Sequence, residues 1–229
     1  MTAVESLAKP HLRRFFRNFT EAGFAVLVSD DAGADTWGAP KVLDYLAQVR
    51  EEAIREFPFN GITYALGYSM GGLPALMSAY RASFPVSGVL LLDARVNLLD
   101  AWQSNDVVRR REIAQAFGVL DSDPLPLGSC PLSDFQGDVT RRVPVFVAGS
   151  PDDRTVPFAV NGQEVYRRVR GVPKQLMVLS GPHLGASHFA DEVAESMVAF
   201  LERLEHLARA AKRAQETARV GGSPPRLRP

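Results

Sequence analysis

The chain is almost without cysteine: Cys130 stands alone among 229 residues. One thiol forms no internal disulfide and no cysteine-based metal cluster. Cys130 lies in a Pro/Gly-rich stretch with no C-x-x-C spacing, so it reads as structural rather than nucleophilic. Net charge is also missing, because 26 Lys and Arg balance 26 Asp and Glu, and the pI is near 6.9. No global field therefore draws the chain to nucleic acid or to an anionic membrane. No apolar run reaches the roughly 18–20 residues that a membrane span requires. Arg13, Arg14 and Arg17 interrupt the amino-terminal stretch where a signal peptide would be apolar. There are no internal repeats. The expectation is a cytoplasmic protein with no nucleic-acid partner and no membrane partner. Its length suits one sizeable core and is too short for two enzyme domains. Nothing in the sequence sets an oligomeric state.

What is present is an alternation of helical and buried-strand patterns. Leu12, Phe15, Phe16 and Phe19 recur at helical spacing, and Gly23 is a C-cap candidate. Phe24-Ala25-Val26-Leu27-Val28 reads as a buried strand. Pro40 opens a helix whose Val42, Tyr45, Leu46, Val49 and Ala53 share a face, and Pro58 ends it. Ile62–Leu66 and Val86–Leu92 read as strands, separated by a helix running to about Ala82. Val143–Ala148 and Gln175–Leu179 resume the pattern, with a helix from about Phe158 to Val169 between them. The last helix buries Val193, Met197, Phe200, Leu201 and Leu204, with Asp191 and Glu192 suited to its first turn. Residues 94–141 lose this rhythm and read as an insertion of short helices and loops. The domain is expected over 1–207, with a basic, Pro/Gly-containing disordered tail at 208–229. The fold class is α/β: a doubly wound, mostly parallel sheet with helices on both faces, right-handed crossovers and a small cap insertion. In such sheets the chemistry gathers at the carboxyl ends of the strands.

The stretch Gly67-Tyr68-Ser69-Met70-Gly71 follows one of these strands and leads into a helix. Strand, sharp turn and helix present a serine hydroxyl at the sheet edge and at a helix N-terminus, with small residues letting the backbone pass closely. Gly72 adds a second small residue for helix–strand packing. A serine hydroxyl is a weak nucleophile and needs a positioned base, and that base needs a carboxylate to fix its tautomer. Of four histidines, His11 and His206 fall on charged helix surfaces. His183 and His188 lie in the segment just after the last strand. Asp152 and Asp153 lie in the loop after the strand ending at Ala148.

On these residues the chain resembles the α/β-hydrolase superfamily of serine hydrolases, over about residues 10–205. The resemblance rests on the Gly67-to-Gly72 elbow, the order Ser, Asp, His, and the acid loop after the penultimate strand. It implies that Ser69 is the nucleophile and His183 the base. Asp153-Arg154-Thr155-Val156-Pro157 matches a D-x-x-V-P acid loop, which implies Asp153 as the acid. Asp152 stays open through its spacing from Gly149, and His188 through its place before the last helix. Met70 would supply one oxyanion N–H from its backbone. No metal and no cofactor are implied, and the partner is a small-molecule acyl substrate. Residues 94–141 would form the cap, with Leu98, Leu99, Trp102, Phe117, Leu120 and Leu125 lining an apolar pocket or holding the cap to the body. Arg95 would meet an anionic group or form a surface salt bridge. Trp37 would lie near the site mouth or pack on the next helix. The family's first strands and its His-Gly oxyanion loop have no counterpart, since no His-Gly pair occurs. Three functions stay open: a serine hydrolase of carboxylic esters or related acyl bonds, a prolyl-oligopeptidase-like peptidase, and a catalytically impaired hydrolase-like binding or assembly protein.

Overall fold

The computed structural model describes residues 7–134, 143–170 and 172–221. Its elements are α1 (Pro10–Glu21), α2 (Lys41–Glu56), β1 (Tyr64–Tyr68), α3 (Gly72–Arg81), β2 (Gly88–Leu92), α4 (Leu98–Gln103), α5 (Val107–Phe117), α6 (Pro131–Asp134), β3 (Val145–Gly149), α7 (Gly162–Arg168), β4 (Lys174–Val178) and α8 (Asp191–Gly221). Short 3-10 turns at Ser69–Gly71, Phe158–Val160 and Ala186–Phe189 join some of them.

The four strands form one parallel sheet in the order β1-β2-β3-β4. Tyr68 pairs with Leu92, Leu92 with Ala148, and Gly149 with Val178, so the carboxyl ends lie side by side. Every residue of β2 and β3 is buried. Alternation along a strand sends successive side chains to opposite faces. Val89, Leu91, Val145 and Val147 meet Leu73 and Leu76 of α3 and Val165 of α7 in one cluster. Leu90, Leu92, Phe146 and Ala148 meet α1 and α8 in the other, through Phe15, Phe19, Val193, Met197 and Phe200. Covering on both faces is why these strands read as continuous apolar runs. Each fully buried Leu or Phe contributes roughly 1.5–3 kcal/mol of transfer free energy. The insertion is helical and anchored in the same core, where Leu98, Trp102 and Ile113 are buried. Leu99 and Leu120 are exposed, at 40% and 68%, and are not part of that core.

Two expectations need correction. Phe24–Val28 is not a strand: it pairs with no described strand, and Val26 and Leu27 are 37% and 52% exposed. Its run of five apolar residues resembles a buried strand in sequence, yet a strand exists only where a neighbour takes its backbone hydrogen bonds. Only Phe24 and Val28 pack onto the second cluster, Phe24 with its ring 6.1 Å from that of Tyr64. The helix α2 is correspondingly half-covered, with Val42 its one buried residue. Within the expected tail, residues 208–221 continue α8 instead of disordering. Ala, Arg, Lys, Gln and Glu are strong helix formers, and Glu205 pairs with Arg209 one turn on. Residues 222–229, and part of the insertion at 135–141, lie outside the described residues.

Glycine is required where the elbow crosses its neighbours. A Cβ at Gly67 would fall on the Gly71 carbonyl and 2.7 Å from Ala75 Cβ. One at Gly72 would sit 2.5 Å from Ala94 Cβ and 2.7 Å from the Arg95 carbonyl oxygen. Backbone cannot swing away as a side chain can. We expect Gly67→Ala to destabilise the chain by about 1–3 kcal/mol, read as a thermal midpoint lowered by roughly 2–4 °C per kcal/mol. An unchanged midpoint would refute the close approach.

Candidate active site

All of the chemistry-bearing residues lie beyond the carboxyl ends of the strands. Ser69 follows β1 with φ +51, a left-handed conformation that costs a non-glycine residue on the order of 1–3 kcal/mol. The strand direction, the 3-10 turn Ser69–Gly71 and α3 hold it there. The loop after β4 brings His183 over it, with Ser69 Oγ 2.9 Å from His183 Nε2. The loop after β3 brings Asp153 behind that ring, with Oδ2 2.6 Å from His183 Nδ1.

Asp153 is 4% exposed and held from its own loop. Its Oδ1 accepts the N–H groups of Thr155 and Val156, both at 2.8 Å, which leaves Oδ2 for His183. A carboxylate only accepts, so Nδ1 carries the ring proton and Nε2 turns a lone pair to the Ser69 hydroxyl. The arrangement can take a proton from Ser69 while a buried negative charge stands behind the imidazole. One ligand-type atom each of Asp93, Asp153 and His183 lies within 4.8 Å of the others. The His183 and Asp153 atoms are at hydrogen-bond distance, 2.6 Å.

Of the alternatives, neither Asp152 nor His188 joins Ser69. Asp152 is exposed and accepts the Gly181 N–H through Oδ2 at 3.0 Å, anchoring the histidine loop at its start. His188 is buried against Asp93, with Nδ1 2.5 Å from Oδ2. Met70, half-buried, is the first residue past Ser69, in the turn that opens α3. The first N–H groups of a helical turn have no partner within it, which is what an oxyanion donor requires.

Three further residues, Asp93, Asn161 and Asp31, surround the site, and the sequence motifs did not assign them. Asp93 ends β2 with φ +42 and is 3% exposed. An aspartate closing a wholly apolar strand was the available signal. Asn161 is fully buried, its Oδ1 accepting the N–H groups of Val96 (3.0 Å) and Asn97 (2.9 Å) and its Nδ2 donating to the Pro157 carbonyl at 3.0 Å. It ties the acid loop to the root of the insertion, and no sequence signal marks it. Asp31 lies against the elbow, its Oδ2 3.8 Å from where a Gly71 Cβ would be. Burial lifts its carboxyl above the ordinary range, against the lowering effect of the Ser29 hydroxyl. Arg95 is buried rather than a surface residue, and its Nη1 stands 3.7 Å from Asp100 Oδ2. Its amide donates to the Ser69 carbonyl at 2.8 Å, and its buried guanidinium donates to the Thr155 carbonyl at 2.6 Å. Burial, then the nearby charge of Arg109, pulls it down to about 10. Trp37 is 7% exposed and faces that guanidinium, 5.9 Å from ring centroid to Cζ. A groove lined by Lys174, Phe200, Arg203 and Leu204 lies at the opposite end of β4 and takes no part.

We expect Asn161→Ala to leave the buried Val96 N–H and the part-buried Asn97 N–H without their acceptor, at a cost on the order of 1–4 kcal/mol. The urea midpoint should fall with an unchanged slope. A wild-type midpoint would show that water replaces the amide.

Solved structures share this architecture. The Pyrococcus furiosus esterase superposes with a TM-score of 0.61 at 18% identity, over 87% of this chain and 77% of that one. The esterase domain of a Rhodothermus marinus protein gives 0.59 at 18% identity, over 84% and 80%. The Pyrococcus horikoshii acylaminoacyl peptidase gives 0.57 at 14%, over 77% of this chain and 30% of that one. At such identities the likeness is one of fold. Among curated proteins, none matches the chain in sequence. The family model described as alpha/beta hydrolase family matches residues 12–223. With that match spanning nearly the whole chain and the elbow, sheet and loops in the family's order, the protein belongs to the alpha/beta hydrolase family.

Proposed function

We propose that the protein is a serine hydrolase of carboxylic esters or related acyl bonds, acting through Ser69, His183 and Asp153. The observation that carries this is the unbroken chain of contacts, 2.9 Å from Ser69 Oγ to His183 and 2.6 Å from His183 to a buried Asp153. Ser69 attacks the substrate carbonyl as His183 Nε2 takes its proton. Asp153 holds the Nδ1–H tautomer and offsets the imidazolium charge. The Met70 N–H faces the oxyanion of the tetrahedral intermediate. His183 then protonates the leaving group, and water, deprotonated by the same nitrogen, releases the acid from the acyl-enzyme. The esterase neighbours support this reading at the level of the fold.

The test is a fluorophosphonate probe with mass mapping of the adduct, beside a panel of p-nitrophenyl esters and an aminoacyl p-nitroanilide. A Ser69 adduct with ester turnover is expected. Faster nitroanilide than ester cleavage would favour the peptidase reading, which shares the same three residues. No adduct and no turnover would leave the binding or assembly reading. That alternative has one observation on its side: Phe24–Val28, apolar and half-exposed, lies with no strand paired to it among the described residues.

A further inference from the structure

Beyond the Ser69–His183–Asp153 chain lies a second buried acid–histidine pair. The side chains of His188 and Asp93 are 1% and 0% exposed. His188 Nδ1 is 2.5 Å from Asp93 Oδ2, and its Nε2 is 3.0 Å from the Ser180 carbonyl oxygen. Both neighbours are acceptors. A neutral imidazole has one N–H and would leave the other nitrogen's lone pair against an oxygen lone pair. An imidazolium donates at both ends. It also supplies the opposite charge that a buried carboxylate requires, and Asp93 Oδ1 has no hydrogen-bond partner of its own.

The pair sits on the loop that carries His183. Asp93 Oδ2 also accepts the Leu184 N–H at 2.9 Å, one residue past His183. Leu184 has φ +49, a strained conformation for leucine that lasts only where its surroundings enforce it. His188 ties Asp93 back to Ser180, where the loop begins, and Asp152 holds the next amide, Gly181. Loop start, loop end and the bond following His183 thus converge on two side chains. The charged or titratable groups around the pair are Asp152 at Gly181, Asp153 and His183 at the loop tip, and His11, whose ring lies 5.6 Å from Phe189. We propose that His188, held as an imidazolium between Asp93 and the Ser180 carbonyl, is a positioning residue that sets the His183 ring in line with Ser69. This rests on the hydrolase reading of Ser69, and it adds no reacting group to it.

The experiment uses the full chain labelled with 15N-histidine, together with His188→Gln. Wild type should show both ring nitrogens of His188 protonated and a sharp low-field Nδ1–H resonance from His183. In His188→Gln one amide cannot span both acceptors. The His183 resonance should broaden, and kcat should fall about 10–100-fold with KM within about twofold, as a misplaced reacting group requires. A role in stability alone would lower the thermal midpoint and leave kcat and the His183 resonance in place. A bare ring nitrogen on His188 in wild type, or an unchanged His183 resonance in a folded variant, overturns the proposal. Should the variant not fold, Asp93→Asn removes the charge while keeping an acceptor oxygen, and the wild-type spectrum decides the charge state alone. Failure of the wild type to react with any acyl substrate would overturn the hydrolase reading instead, with the resonances still reporting on the pair.

Discussion

Ser69→Ala should abolish fluorophosphonate labelling and lower kcat by about 10⁵–10⁶, because without the hydroxyl no acyl-enzyme forms and His183 has no nucleophile to activate. Activity would not fall to the uncatalysed rate, since binding and the oxyanion donor act without the serine. KM should change little. The fold should tolerate the change: alanine keeps the Cβ and inherits the same φ of +51, and among the described residues the lost hydroxyl bonds His183 Nε2. The thermal midpoint is expected within about 2 °C of wild type, below the shift that 1 kcal/mol produces in a chain of this size. Steady-state kinetics with active-site titration separates this result from its opposite. Residual kcat within tenfold of wild type would place the nucleophile elsewhere.

Asp153→Asn is expected to cost about 10⁴ in kcat for a different reason. Asparagine keeps an oxygen for the Thr155 and Val156 amides, so the acid loop stays closed. Where Oδ2 stood it presents an NH2 group. His183 Nδ1 must then accept, its proton moves to Nε2, and the nitrogen facing Ser69 becomes a donor that cannot take the serine proton. Asp152→Asn provides the contrast. Asp152 contacts the Gly181 amide and not the ring, and an amide oxygen still accepts there, so kcat should stay within a few-fold of wild type. A large loss in Asp152→Asn would reassign the acid to Asp152, and nearly full activity in both variants would make Asp93 the next candidate because its carboxylate lies in the same cluster as His183.

Much of the site was legible because short-range rules fix it. A serine between small residues after an apolar strand has few conformations that keep both the strand and the helix. Gly67 and Gly72 have no room for a Cβ, and Ser69 takes the left-handed turn such a junction demands. The buried strands were legible because covering on both faces leaves a continuous apolar run, as in Val89–Leu92 and Val145–Ala148. The same rule misled at Phe24–Val28: five apolar residues look alike whether or not a neighbouring strand takes their backbone. Composition misled beyond His206, where Ala with basic residues fits a solvated tail as well as the helix that forms.

Sequence by itself determined the helix–strand alternation and the parallel sheet, and it named the candidate elbow, nucleophile, acids and bases. These follow from residues close in the chain, where periodicity, turn chemistry and glycine sterics act. Only the tertiary structure decided which of Asp152 and Asp153, and which of His183 and His188, stands in line with Ser69. It did so because adjacent loop residues point opposite ways, and the choice is made by amides and carbonyls far along the chain. Asp153 is fixed by Thr155 and Val156, while His188 is drawn to Asp93 across 95 residues of sequence. Two histidines five positions apart in one loop thereby take different partners, His183 facing Ser69 and His188 lying between Asp93 and the Ser180 carbonyl.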